Sequence, residues 1–252
     1  MPLPSESPLH DKVAVVTGGS SGIGAATVRA LAQAGARVAI GYNKGRERAE
    51  TLIGELPGSG HRAIHMHLED SATLQAAAAQ VREAYGRADV LVNSAGFTKP
   101  IPHGDLDALD DATFDAVMTA NVRGPFAMIR AMTPLLRESG DAVIVNISSI
   151  SGFTGSGSSV VYCASKAALD TMTLSLARAL APQIRVVCVS PAAVATDFVA
   201  GRGRPELEKF AQSTPLKRIM EPEDVAQAVM ACITHLRGAT GTRIVVDMGR
   251  HL

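Results

Sequence analysis

The sequence predicts an α/β fold in which a doubly wound, parallel seven-stranded sheet is covered by helices on both faces. Three observations predict it. Short strand-like runs recur at 12–17, 36–42, 61–67, 88–93, 141–147, 184–190 and 243–247. Helical patterns separate them, at about 22–34, 44–55, 71–85, 107–137, 160–181 and 222–235. Such alternation gives parallel strands joined by right-handed crossovers. Finally, the residues with chemical character fall just after strands, and in open α/β sheets that edge carries the ligand crevice.

The first strand, Lys12 to Thr17, reads Lys-Val-Ala-Val-Val-Thr, a run suited to a buried parallel strand. Gly18-Gly19-Ser20-Ser21-Gly22-Ile23-Gly24 follows at once, and the alanine-rich stretch from Ala25 to Ala34 is apolar at helical spacing. Strand, glycine loop and helix in that order are the context of a dinucleotide loop. Glycines let the backbone approach a pyrophosphate, and the helix N-terminus offers it free N–H groups and a positive dipole end. The second strand ends Ile40-Gly41-Tyr42-Asn43-Lys44-Gly45-Arg46, with no Asp or Glu at the corner where an acid would bind ribose hydroxyls and repel a 2′-phosphate. Lys44 and Arg46 could neutralise that phosphate, or they simply form a solvated first helical turn.

In the helix predicted at 160–181, Tyr162 and Lys166 stand four residues apart and share a face. A free tyrosine titrates near pH 10. A lysine ammonium one turn away is expected to favour the phenolate and bring that value down. The pair could then exchange a proton with an alcohol or ketone. Ser149 lies upstream, after the fifth strand.

These segments together resemble the short-chain dehydrogenase/reductase family in its compact form. The match runs from Lys12 to Gly249 through Thr17-Gly18-Gly19-Ser20-Ser21-Gly22-Ile23-Gly24, Asn93-Ser94-Ala95-Gly96, Asn121-Val122-Arg123-Gly124, Asn146-Ile147-Ser148-Ser149 and Tyr162 through Lys166. The resemblance implies a Rossmann-like fold and an NAD(P)-dependent oxidoreductase, similar to 3-oxoacyl-carrier-protein reductases. Tyr162 is then the acid in reduction and the base in oxidation. Lys166 lowers its pKa and binds the nicotinamide ribose, and Ser149, in preference to Ser148, bonds the substrate oxygen. Asn121 holds a water that relays protons from Lys166, or caps a helix before Val122. The cofactor contacts implied are Gly18, Ser20, Ser21, Gly22, Ile23 and Gly24, then Asn43 and Lys44, His67 and Leu68, Asn93, Ala95 and Gly96, and Pro191, Val194 and Thr196, beside Tyr162 and Lys166. NADP(H) is expected ahead of NAD(H).

The chain departs from the family pattern in four places. Ala192 replaces the glycine of the Pro-Gly-x-Val-x-Thr segment, a change that would strain the backbone if the position needs φ > 0. Met248 stands in the usual Asp-Gly-Gly, Ser94 replaces the second asparagine of Asn-Asn-Ala-Gly, and His67 occupies the place of an adenine-binding Asp.

Composition narrows the remaining choices. The chain has 252 residues, is 46% hydrophobic, and balances 24 Lys and Arg against 24 Asp and Glu. One domain over 11–252 is expected after a flexible arm at 1–10. Without a basic stripe nucleic acid is not an expected partner, and no run of about 18 apolar residues suggests a membrane span. Cys163, Cys188 and Cys232 read as buried hydrophobes of a reducing, cytoplasmic protein. His65 and His67 share a strand face without further ligands, so no metal is expected. Residues 197–216 are expected to form a lid whose Phe198, Val199, Leu207 and Phe210 make an apolar wall over a small carbonyl or alcohol substrate. Phe97 to Asp107 would line the other side. Gly140-Asp141 puts an acid where docking of a carrier protein would favour a base. The long helices imply a homotetramer, with a dimer as the second choice. An NAD-dependent alcohol dehydrogenase and a non-catalytic nucleotide sensor are the alternatives. The sensor would be favoured by loss of Tyr162 or Lys166, and both are present.

Overall fold

A computed structural model describes residues 7–252. Seven strands form one parallel sheet: β1 (Val13–Thr17), β2 (Arg37–Tyr42), β3 (Arg62–His65), β4 (Val90–Asn93), β5 (Ala142–Ile147), β6 (Ile184–Pro191) and β7 (Thr242–Val246). Their order is β3-β2-β1-β4-β5-β6-β7, so the winding direction reverses beside β1, between the first and fourth strands. A crevice opens at such a reversal because the loops leaving the two strands diverge. The register pairs Thr17 with Asn93 and Asn93 with Asn146, which brings the ends of β1, β4 and β5 level.

Alternation along each strand divides the core. Ala14, Val16, Ile40, Val92, Val145 and Val189 face one layer, with Val28 and Leu31 of α1 (Gly22–Gln33) and Val225 and Val229 of α9 (Pro222–Thr234). Val15, Ala39, Leu91, Ile144 and Val186 face the other. That second layer holds Leu74 of α3 (Ser71–Tyr85), Met128 and Met132 of α5 (Gly124–Ser139) and Ala177 of α7 (Val160–Leu180). The near-continuous apolar strands of the sequence are thus buried on both sides.

The remaining helices are α2 (Arg46–Glu55), α4 (Asp111–Met118), a single turn α6 (Ser151–Thr154) and α8 (Arg204–Gln212). The helix expected over 107–137 is not continuous. It consists of α4, a π-turn at Thr119–Arg123 and α5. Pro125 has no N–H to offer the Asn121 carbonyl, so the α-helical bond is lost there and the chain takes one wider turn. Of the arm expected at 1–10, residues 1–6 lie outside the described residues. Leu9 is buried, and its N–H donates to the Ala34 carbonyl at 2.9 Å. Among the described residues no helix is long and apolar enough to cross a membrane.

Candidate active site

The glycine loop closes the C-terminal end of β1. Gly18 and Gly22 have φ of +64° and +50°, conformations open to glycine. The Thr17 hydroxyl accepts the N–H groups of Ser94 and Ala95 at 3.2 and 3.1 Å and ties the loop to the end of β4. Packing there is tight: a Cβ on Gly18 would lie 2.9 Å from Ala95 Cα, and one on Gly24 only 2.1 Å from the Gly18 carbonyl oxygen. Ser21 precedes α1 in an extended conformation without bonding a helix N–H through its side chain. Ile23 and Gly96 line the cavity that begins here, and Thr196 lies over Gly22, whose added Cβ would meet its methyl group at 3.1 Å. This cradle fits a dinucleotide pyrophosphate, since backbone approach and free helix N–H groups are what that group needs.

The arginine at the corner after β2 is not the one the sequence suggests. Asn43 and Lys44 are exposed. Arg46 is turned away, donating to Glu50 at 2.8 Å one helical turn along. Arg48 takes its place: a Cβ on Gly45 would stand 2.6 Å from an Arg48 guanidinium nitrogen and 2.7 Å from the Ser20 hydroxyl. Both groups thus flank Gly45 beside the loop, and among the described residues Arg48 makes no ion pair. At the next strand end the His67 N–H donates to the Thr73 hydroxyl at 3.1 Å and its half-buried imidazole faces Glu69. Leu68 is buried against Gly124.

Asn93 is buried, and its side-chain amide donates to Asn146 at 2.9 Å. Asn146 in turn donates to Thr173. Its side chain is thus part of a polar chain through the sheet rather than of the cavity, where its neighbours Ser94 and Gly96 appear instead.

Tyr162, Lys166, Ser149 and Asn121 converge from three elements. The Ser159 side chain caps α7 by accepting the Tyr162 N–H, which starts the helix so that Tyr162 and Lys166 face β5. Gly152 lets α6 press on α7 at that point, because a Cβ there would lie 2.8 Å from the Lys166 carbonyl carbon. Ser149 accepts the Ser151 N–H at 3.1 Å and donates to the Pro191 carbonyl at 3.5 Å, while Ser148 is turned to the Lys166 carbonyl. Ser149 is therefore the serine beside the tyrosine, as the spacing implied.

Two expectations about this group change. Burial pushes the Tyr162 phenol up to about 12, against the opposing influence of the Ser149 hydroxyl and the Arg202 cation. The Lys166 ammonium donates to the Ile147 carbonyl at 2.8 Å and stands 5.7 Å from the tyrosine ring centroid. Burial brings Lys166 itself down to about 8. Asn121 caps no helix. It sits inside the π-turn, where its side chain accepts the Phe97 N–H at 2.8 Å and donates to the Phe97 carbonyl and the Ser165 hydroxyl.

The cavity above Tyr162 has a volume of about 460 Å³. Phe198, Val199, Leu207 and Phe210 form its apolar wall, as expected, and the rings of Phe198 and Tyr162 are 6.0 Å apart. Pro191, Val194 and Thr196 line it from the end of β6. The opposite wall is not Phe97 to Asp107 but Thr154 and Ser156 to Ser158. The first segment lies behind the second, with the Ile101 N–H on the Ser158 carbonyl at 2.7 Å. Arg202, Asp247, Met248, Arg250 and His251 also line the cavity, and sequence reasoning missed all but Met248. Of the two departures from glycine, Ala192 has an ordinary φ, whereas Met248 is held at φ +59°. The strain thus sits at Met248.

The family model described as enoyl-(acyl carrier protein) reductase matches residues 18–251. The chain is 37% identical over 246 residues to a Streptomyces violaceoruber protein assigned as ketoacyl reductase 2 of the granaticin polyketide synthase, covering 95% of this chain and 96% of that one. It is 33% identical to the 3alpha-hydroxysteroid dehydrogenase of Mediterraneibacter gnavus, with the same coverage of both chains. The crystal structure of a dehydrogenase/reductase from Sinorhizobium meliloti 1021 superposes with a TM-score of 0.88 at 36% identity, covering 98% of each chain. With a glycine cradle at the sheet reversal and a serine, tyrosine and lysine gathered at one end of the adjoining cavity, the chain belongs to the short-chain dehydrogenase/reductase family, oxidoreductases that act on the CH–OH/C=O couple with NAD(P).

Proposed function

We propose that the protein is an NADPH-dependent carbonyl reductase in which Tyr162 gives the proton and Ser149 holds the substrate oxygen. The observation that carries this reading is the placement of Ser149, Tyr162 and Lys166 on one cavity that opens beside the glycine cradle. When bound, the nicotinamide supplies the hydride. The Tyr162 hydroxyl, protonated at neutral pH, passes its proton to the carbonyl oxygen as that oxygen gains charge, and Ser149 hydrogen-bonds the same atom. The proton returns to Tyr162 by way of Lys166 and a water held at Asn121. Gly18 to Gly24 and Thr196 hold the pyrophosphate, and Pro191 and Val194 face the nicotinamide. Residues 197–216 act as the lid of the single domain over 11–252.

Lys44, exposed after β2, and Arg48, beside Gly45 near the Ser20 hydroxyl, support NADP(H) over NAD(H). NADPH is expected to bind about 10–100-fold tighter than NADH, the range of one or two charge-assisted bonds to a phosphate. Lys44→Gln with Arg48→Gln should remove that difference and leave NADH affinity unchanged. Side-by-side fluorescence titrations check this, and equal affinities in the unaltered protein would exclude the NADP reading.

The exposed Phe114 and Phe126, on α4 and α5, and Leu174 on α7 support a homotetramer, with a dimer next. Sedimentation velocity should then return four times the chain mass. A monomer would remove the proposal. The three buried, unpaired cysteines support a cytoplasmic protein.

A further inference from the structure

The charged groups of the cavity do not balance. Lys166, Arg202, Arg218, Asp247, Arg250 and His251 line it. Arg218 is paired with Asp224 at 2.7 Å, and Asp247 with His251 at 2.7 Å. Lys166 donates to a carbonyl. Arg202 and Arg250 are left as cations, and among the described residues no carboxylate lies within 4.0 Å of either guanidinium. Arg250 is exposed and donates to the Ser213 hydroxyl at 2.6 Å.

Arg202 is the unusual one. It is half-buried, and its side chain makes no hydrogen bond among the described residues. Its guanidinium lies 5.5 Å from the centroid of Phe210, and that of Arg250 lies 5.6 Å from the same ring. Burial holds Arg202 below its ordinary pKa, while Tyr162 and Glu206 act the other way, so Arg202 lies within electrostatic reach of the reacting phenol. A half-buried guanidinium with neither ion pair nor hydrogen bond is costly unless a ligand completes it. The pyrophosphate does not do so, since its cradle is at Gly22 and Thr196, at the other end of the segment that leads to the lid.

We propose that the substrate is a small oxo acid, a ketone bearing a carboxylate, and that Arg202 binds this carboxylate while the ketone oxygen faces Ser149 and Tyr162. The inference rests on the reductase reading above. One half-buried guanidinium balances one negative charge and offers a carboxylate two parallel N–H donors. Phe198, Val199 and Leu207 enclose the carbon chain between the two ends. Arg250, at the rim, draws the anion in and adds less to affinity. Arg202 is thus a specificity-determining residue contributed by the lid, and the lid is completed when the acid binds.

The test compares 2-, 3- and 4-oxo acids of short chain with their methyl esters, using NADPH and the full chain. For at least one acid, kcat/KM should exceed that of its ester about 10-fold or more. Arg202→Met keeps the apolar stem against Phe210 and removes the fork. It should lower kcat/KM for that acid about 10–100-fold more than for its ester, mainly through KM, and leave NADPH affinity unchanged. Arg202→Lys should recover part of the loss. An acid-to-ester ratio indifferent to Arg202, or esters preferred throughout, overturns the proposal while leaving ketone reduction in place. Calorimetric binding of the oxo acids that depends on Arg202, without turnover, would keep the anion site and overturn the reductase reading. Neither binding nor turnover of any acid, with no ester turned over either, overturns both.

Discussion

Tyr162→Phe should lower kcat for ketone reduction by about 10²–10⁴-fold, the contribution of a positioned general acid, and leave NADPH affinity within a factor of about two. Phenylalanine keeps the ring beside Phe198 and loses only the hydroxyl, so the lid wall remains. The proton has no other direct source: Lys166 faces the Ile147 carbonyl and the Ser149 hydroxyl is turned to the Pro191 carbonyl. The pH dependence follows from the two shifted groups. With its pKa pushed up to about 12, Tyr162 is protonated throughout the neutral range, so it does not limit reduction there. Oxidation of the alcohol needs the phenolate, and that fraction rises about tenfold per pH unit below the pKa. Lys166 loses its charge near about 8. Reductive kcat/KM should therefore be flat below about pH 7 and fall above 8 as the Lys166 relay discharges, while oxidative kcat/KM keeps climbing toward the Tyr162 value of about 12. Stopped-flow turnover of the variant together with pH–rate profiles checks both. Full activity in Tyr162→Phe would end the acid-base assignment.

Gly24→Ala is the second large effect. The added methyl carbon would lie 2.1 Å from the Gly18 carbonyl oxygen, 2.8 Å from its carbon and 3.1 Å from Gly19 Cα. All three are backbone atoms, so no rotamer change relieves the clash, and either α1 or the loop must move. The expected cost is about 1–3 kcal/mol of stability, as for overpacking elsewhere. NADPH affinity should fall by about 100-fold or more, because the helix N–H groups leave their place under the phosphates. Gly54→Ala, within α2 and with nothing within 4 Å of the added carbon, is the control. It should stabilise by about 0.5–1 kcal/mol without touching cofactor affinity. Denaturant unfolding and fluorescence titration read the two quantities separately. A Gly24→Ala protein that bound NADPH normally would show that the cradle is not the phosphate site.

Much of the molecule was legible in the chain because the deciding forces act locally. Each strand was marked by its strand-like run and α3 by its boundaries, since backbone hydrogen bonding and side-chain period are set within a few residues. Tyr162 and Lys166 were legible for the same reason, being one helical turn apart. The glycine loop was legible because only glycine tolerates φ of +50° to +64° at Gly18 and Gly22 beside the backbone of Ala95. The π-turn was missed although Pro125 marks it, because the apolar period runs through from α4 to α5 without a break.

By itself, then, the sequence determined the doubly wound sheet, the cradle and which serine, tyrosine and lysine stand together. The tertiary structure alone decided what surrounds them. It turned Lys166 to the Ile147 carbonyl, turned Asn93 to Asn146, gave Arg48 the corner that Arg46 leaves for Glu50, and put the strain at Met248 rather than Ala192. It also brought Arg202 of the lid and Arg250 beyond β7 to the Phe210 ring over the site. The physical reason is the same in each case. Backbone conformation answers to neighbours within a turn or two, whereas the partner of a charged or polar side chain is set by burial against segments far away in the chain.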